Sequence, residues 1–135
     1  MSKFDTLKEQ HKDIAKIVST LKDYISKNNI EEDGLEIAKT INLLAGRLTI
    51  HLKHEDDYLY PELLKSENAS TRALAEKFSK EMGGLAATFM DYKNKFNTRS
   101  KIVDNKDAFK ENTLIIIKAL EERLHKEDTQ LYTTK

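Results

Sequence analysis

Apolar side chains recur every three or four residues in four stretches of the chain, the spacing that places them on one face of an α-helix. The pattern predicts helices over about residues 4–26, 35–59, 71–96 and 108–131. The connections are short, apart from a loop over about residues 97–107, and each helix has one apolar stripe. We therefore predict an all-α, antiparallel, up-down-up-down four-helix bundle that forms a single domain over residues 1–135.

Polar residues continue the apolar stripe of the second predicted helix. After Ile41, Leu44 and Leu48, the same steps of three and four residues reach His51 and then Glu55. Burying an imidazole and a carboxylate without partners costs several kcal/mol in total. A metal ion or a buried ionic network is therefore expected around this pair. His11 occupies a similar position on the seam of the first helix.

The second half of the chain repeats the first at an offset of about 72 residues, which indicates two duplicated helical hairpins. The repeat aligns Glu55 with Glu127, His51 with Arg123, and His11, less closely, with Met82. The first hairpin thus carries two histidines and a glutamate, whereas the second keeps only the glutamate.

The chain resembles the hemerythrin family in its prokaryotic HHE form. The resemblance is carried by His11 and by the segment His51-Leu52-Lys53-His54-Glu55-Asp56-Asp57-Tyr58-Leu59-Tyr60-Pro61, and it covers nearly the whole chain. It implies a non-haem di-iron centre that binds oxygen, stores or senses iron, or takes part in nitrosative-stress repair. The expected partners are accordingly a metal ion and dioxygen or another small diatomic molecule.

The resemblance also implies which ligands are present and which are missing. His11, His51, Glu55 and Glu127 stand at the positions that hold one iron and bridge to a second. A thioether is a poor ligand for hard iron, and a guanidinium cannot ligate at all. At most one ion is therefore expected, and two imidazoles with carboxylates suit Fe(II), Mn(II) or Zn(II). The positions of the second iron's histidines hold Met82, Ala86 and Arg123.

Arg123 has a chemical role in this incomplete site. A guanidinium carries a permanent charge and five donors, so it can replace the missing cation. We predict that Arg123 bridges Glu55 and Glu127. The other interpretation is that its side chain leans outward and its stem covers core.

Three further features have two interpretations each. His54 lies beside His51 on the helix, either at the surface or next to the metal ligands. Met82 either fills core or is the axial ligand of a haem opposite a histidine. Gly83-Gly84 indicates either close helix packing or a segment that opens beside the site. His125 is predicted to point outward.

Composition narrows the function classes. The formal net charge is zero, which gives no support for a nucleic acid or membrane partner, and the absence of cysteine excludes thiol chemistry. The polar N-terminus and the lack of a long apolar run make the cytoplasm the expected compartment. No nucleophile–base arrangement indicates hydrolysis, so an oxygen- or iron-binding role is favoured over an enzyme. Two alternatives stay open: a metal-free structural or interaction bundle, and a haem-binding protein.

Overall fold

The computed structural model describes residues 3–132, with side chains from residue 5 onward, and every element in that range is helical. The predicted all-α class is confirmed. The first residue of the predicted stripe, Phe4, has a side chain outside the described set. The α-helices are α1 Lys3–Lys27, α2 Ile30–His54, α3 Tyr60–Leu64, α4 Ala69–Phe96, α5 Arg99–Val103 and α6 Lys106–Lys126.

Four long helices pack around a common core. Helix α1 contacts α2 and α6, and α4 contacts the same two helices from the other side. Two π-helical turns, Glu55–Leu59 and Glu127–Leu131, continue α2 and α6 respectively. The functional candidates of the sequence lie where these turns begin.

Helix boundaries differ from the prediction at three places. Helix α2 begins at Ile30 because the acidic residues that follow occupy its first turn, where carboxylates favour the positive end of the helix dipole. Pro61 does not end the helix, since it lies in the first turn of α3, where no N–H is required. The expected loop over residues 97–107 contains α5, capped by the Thr98 hydroxyl and anchored by the fully buried Ile102.

The core has two apolar clusters with a polar layer between them. In α1, Leu7 belongs to the smaller cluster and Ile14 to the larger one, and His11 lies between them. Glu55 and Glu127 likewise each follow a leucine of the larger cluster and precede one of the smaller. The layer that carries the candidate ligands is therefore enclosed by packed side chains above and below.

Glycines mark one close helix contact, at the crossing of α2 and α5. A Cβ atom added at Gly34 would lie 2.9 Å from Arg99 Cγ and 3.1 Å from Val103 Cγ2. At Gly83 and Gly84, by contrast, nothing lies within 4 Å of an added Cβ, so close packing does not explain that pair.

Gly34→Ala and Gly46→Ala form a matched pair within α2. Alanine at Gly46, which meets no neighbour within 4 Å, should raise the free energy of unfolding by about 1 kcal/mol through helix propensity. At Gly34, crowding by α5 should cancel that gain. The free energy of unfolding of Gly34→Ala should therefore be about 1–2 kcal/mol lower than that of Gly46→Ala. Urea denaturation midpoints test the difference, and equal gains would show that α2 and α5 are not in tight contact.

Candidate metal centre

Four buried side chains converge at one level of the bundle. His11 comes from α1, His51 from the last turn of α2, and Glu55 and Glu127 from the first residues of the two π-helical turns. Their exposed fractions are 4% for His11 and 0% for the other three. One ligand atom from each lies within 4.8 Å of all the others. The convergence expected from the sequence is thus present in the fold.

The imidazole nitrogens form the centre of the cluster. His11 Nε2 lies 3.0 Å from His51 Nε2 and 2.9 Å from Glu127 Oε1. His51 Nε2 is 3.5 Å from Glu55 Oε1 and 3.6 Å from Glu127 Oε1. Two imidazoles and two carboxylates therefore meet with ligand atoms at mutual distances typical of a shared cation or proton.

The outer nitrogen of each histidine is held by a second polar residue. Asp128 Oδ1 accepts a hydrogen bond from His11 Nδ1, at 2.9 Å, and Gln10 Oε1 accepts one from His51 Nδ1, at 2.8 Å. With the protons on Nδ1, both Nε2 atoms present lone pairs inward, the tautomer that metal-bound histidines adopt. Two lone pairs 3.0 Å apart repel each other, and the contact of His11 Nε2 with Glu127 also needs a donor. A proton therefore lies among these atoms in the metal-free protein, and a metal ion would take its place.

His54 and Asp128 lie outside this inner set. The Gln10 amide donates to His54 Nδ1 at 2.5 Å, so His54 is connected to His51 through Gln10. Sequence reasoning placed His54 beside the site but missed Gln10 and Asp128. Both are direct sequence neighbours of predicted ligands, the only signal that could have indicated them.

The two glutamates share a local backbone distortion. In each π-helical turn a tyrosine N–H five residues on, from Tyr60 or Tyr132, donates to the glutamate carbonyl. This i+5 hydrogen bond brings the tyrosine back toward the face of the glutamate, whereas a regular α-helix would carry it away. Such π-helical turns occur frequently at functional sites.

Tyr132 lies inside the cluster, which the sequence analysis did not foresee. Its hydroxyl donates to Glu55 Oε2 at 2.8 Å and lies 2.9 Å from His11 Nε2. The sequence signal for this tyrosine was the Leu-Tyr ending that both hairpins share. A regular helical period of 3.6 residues, however, would point Tyr132 away from the core.

The pKa values of the two carboxyl groups are shifted in opposite directions. Burial, together with the charge of Glu127, raises the pKa of Glu55 to about 9. Burial also opposes ionisation of Glu127, but hydrogen bonds with His11 and His51 outweigh it and lower the pKa. Burial lowers the pKa of His51, which keeps this ring neutral. The metal-free cluster thus holds one ionised and one protonated carboxyl group.

A cation would satisfy atoms that the described side chains leave unpaired. Glu55 Oε1 and Glu127 Oε2 are buried and accept no hydrogen bond within residues 3–132. Unpaired buried carboxylate oxygens are costly, and together with two inward imidazole lone pairs they form a donor set suited to a divalent metal ion. The residues present therefore fit a metal.

Arg123 does not make the predicted bridge. Its buried guanidinium donates to Glu81 on α4 and lies 4.9 Å from the centre of the Phe78 ring. Neither site carboxylate accepts a hydrogen bond from it among the contacts of the described residues. Glu81 on the facing helix is within reach of Arg123. Its side chain is 37% exposed, so pairing it costs less desolvation than pairing the two fully buried glutamates.

Met82 belongs to the apolar packing between α2 and α4. It is buried beside a narrow gap of about 50 Å³ whose lining is apolar except for Thr49. Ligand pockets for small molecules usually measure about 300 Å³ or more. The gap next to Met82 has no room for a haem, and core filling is the interpretation that this geometry favours. His125 is exposed, as expected.

An open cavity of about 410 Å³ reaches the cluster from the side of α1 and α6. Asp128, whose side chain is 48% exposed, stands in its wall next to the outer edge of His11. The cavity gives solvent a path to the histidine without disturbing the apolar clusters. Its lining is formed by Lys8, His11, Lys12, Ala15, Leu124 and Asp128.

Comparison with known proteins identifies one match. The family profile of the hemerythrin HHE cation-binding domain matches residues 2–134, nearly the whole chain. No curated protein matches, and no solved structure matches. In the part of the chain that is described, none of the helices combines the length and apolar character needed to cross a membrane.

A double-mutant cycle tests the Arg123–Glu81 pair. Arg123→Met keeps the apolar stem and removes the charge, and Glu81→Gln removes the partner charge. We expect a coupling energy of about 1–2 kcal/mol, because the Glu81 side chain is partly exposed and solvent screens the pair. If Arg123→Met shows no coupling to Glu81→Gln but does couple to Glu55→Gln, the bridge predicted from the sequence would be correct after all.

The metal-free protein should lose stability as pH rises. The folded state keeps the Glu55 proton up to about pH 9, whereas an ordinary glutamate releases it near 4.5. The free energy of unfolding of chelator-treated protein therefore decreases between about pH 6.5 and pH 9, because the opposing contribution from the lowered pKa of His51 is confined to lower pH. The Glu55→Gln variant stays neutral and should show a flatter profile. Urea denaturation at a series of pH values measures both slopes, and equal slopes would contradict the assignment of the proton to Glu55.

Proposed function

The chain belongs to the hemerythrin HHE cation-binding family, and from this premise we propose that it is a non-haem iron protein with a one-ion site. His11, His51, Glu55 and Glu127 are the proposed ligands. The bundle would be the antiparallel up-down-up-down arrangement expected from the sequence, as a single domain. The cytoplasmic location remains a prediction.

The inward pairing of the two imidazoles is the observation that carries this proposal. Asp128 and Gln10 hold the outer nitrogens, so the inner Nε2 atoms of His11 and His51 face each other at 3.0 Å. Two facing acceptors would repel each other, so the two rings need a positive charge or a shared proton at this point. The arrangement is stable when a cation or a proton lies between them.

The proposed stoichiometry is one ion per chain. Arg123 and Met82 stand where the second iron of the family would find histidines, and neither offers a suitable ligand atom. Arg123 also forms an ion pair with Glu81 between α6 and α4, on the side of the bundle where the second iron would lie. The site is thus an incomplete version of the family's two-iron centre.

The chain's own residues would prepare the site for the ion. Gln10 and Asp128 fix the two ring orientations, the neutral His51 offers a lone pair without first losing a proton, and Glu55 releases its proton on ion binding. An iron ion held here supplies a redox-active centre with reactivity toward dioxygen or another small diatomic molecule. The open cavity beside His11 provides the route for either.

A metal-free bundle is the second candidate. The observation in its favour is that Tyr132 donates to Glu55 while His11 bonds Glu127, so most of the cluster is connected without an ion. Such a network also stabilises a core, as a relic site would. Metal content separates the two candidates directly. The haem alternative is disfavoured by the gap of only about 50 Å³ beside Met82.

Metal analysis of protein purified without chelator and then supplied with Fe(II) tests the proposal. We expect close to one iron per chain in the wild type and almost none in His51→Ala, which removes a buried ligand. His125→Ala is the matched control, since it removes an exposed histidine and should retain the iron. Two irons per chain would refute the one-ion site, and none in the wild type would favour the metal-free bundle.

A further inference from the structure

We propose that the phenol oxygen of Tyr132 is a fifth protein ligand of the bound ion. This inference rests on the proposed iron site and adds a ligand that the family resemblance did not supply. It gives the site a fifth donor atom, an oxygen, in place of the histidines that the second hairpin lacks.

The position of the hydroxyl carries the inference. It lies 2.9 Å from His11 Nε2, 3.3 Å from His51 Nε2, 2.8 Å from Glu55 Oε2 and 3.4 Å from Glu127 Oε1. One oxygen thus contacts an atom of every proposed ligand. A hydroxyl has a single proton to donate, whereas its four neighbours are mainly acceptors. An ion at the centre would satisfy all of them, and the phenol oxygen would then lie next to it.

The backbone holds this oxygen in place. The N–H of Tyr132 donates to the Glu127 carbonyl at 2.8 Å, which closes the π-helical turn and directs the ring inward. The ring packs on His11 with a centroid distance of 4.9 Å and belongs to the smaller apolar cluster with Leu7 and Leu131. A ring fixed between an imidazole and apolar neighbours presents its oxygen with little freedom, as a ligand requires.

Tyr60 provides an internal comparison. It follows Glu55 as Tyr132 follows Glu127, and it is also buried. Its hydroxyl nevertheless makes no hydrogen bond to the described part of the chain, and so none to the four ligand atoms. Two equivalent positions of the repeat therefore differ in contact with the site. Tyr60→Phe removes an equivalent oxygen without touching the proposed ligand set.

With Tyr132 as a ligand, charge balance makes Fe(III) the ion that suits the site. Ligation by Tyr132 breaks the phenolic O–H bond, Glu55 likewise gives up its proton, and both protons leave to solvent. The oxygen then binds as an anion beside the Glu55 and Glu127 carboxylates, and three negative ligands balance the three positive charges of Fe(III). Glu55 Oε2 loses the hydrogen bond from the phenol and becomes available to the ion.

Absorption spectroscopy after iron loading tests the inference. Chelator-treated protein receives one equivalent of Fe(III) as its nitrilotriacetate complex, and bound iron is measured after gel filtration. We expect a visible phenolate-to-iron(III) charge-transfer band, with tyrosinate vibrations enhanced by resonance Raman excitation within it. The band should vanish in Tyr132→Phe, whose iron affinity falls roughly 10–100-fold, and persist in Tyr60→Phe.

The other outcomes overturn distinct claims. Wild-type protein that binds iron without the band, or a band that survives in Tyr132→Phe, refutes Tyr132 as a ligand but leaves the iron site intact. Tighter binding by a colourless Tyr132→Phe, with a colourless wild type, would show that the phenol merely fills the metal-free site. No bound iron in the wild type refutes the proposed function and the inference together. The wild-type Raman spectrum shows whether a tyrosinate is bound to iron even if a variant folds poorly.

Discussion

The burial of two carboxylates at the same level of a helical bundle is the constraint on which the rest of the site depends. Glu55 and Glu127 are both fully buried, and two adjacent anions in that environment repel each other and lack solvation. The surrounding groups reduce the repulsion and replace the lost solvation in several ways. Imidazoles face one carboxylate, a phenol donates to the other, and one carboxyl group keeps its proton in the metal-free state.

The same constraint explains why the polar layer is enclosed by two apolar clusters. Packed leucines on either side exclude water, which strengthens each contact within the layer and raises the cost of any unpaired atom. Solvent reaches the layer mainly at the edge of His11, where the half-exposed Asp128 orients the ring. The same arrangement of helices thus buries the polar layer and leaves the edge of His11 open to solvent.

Sequence spacing was sufficient to place the proposed ligands that lie on regular helix. The steps of three and four residues placed His11 and His51 on inward faces, and the repeat located Glu127 opposite Glu55. Helical spacing does not predict side-chain positions beyond the glutamates, because a period of 3.6 residues does not describe a π-helical turn. Tyr132 was therefore missed. Helical spacing also failed for Arg123, whose partner depends on which charged side chain of the facing helix lies within reach, a property that periodicity along one helix does not contain.

The paired π-helical turns have an evolutionary consequence. A turn of this kind is an α-helix that has gained one residue, so every side chain after it is rotated by about 100° relative to the uninterrupted helix. Both hairpins carry the turn at the same point of the repeat, as expected if the insertion preceded the duplication and was copied with it. A later single-residue deletion there would withdraw a tyrosine and a leucine from the interior together. Such a deletion would remove buried packing and a contact of the polar layer in one step, so each turn and its two side chains form one inherited unit.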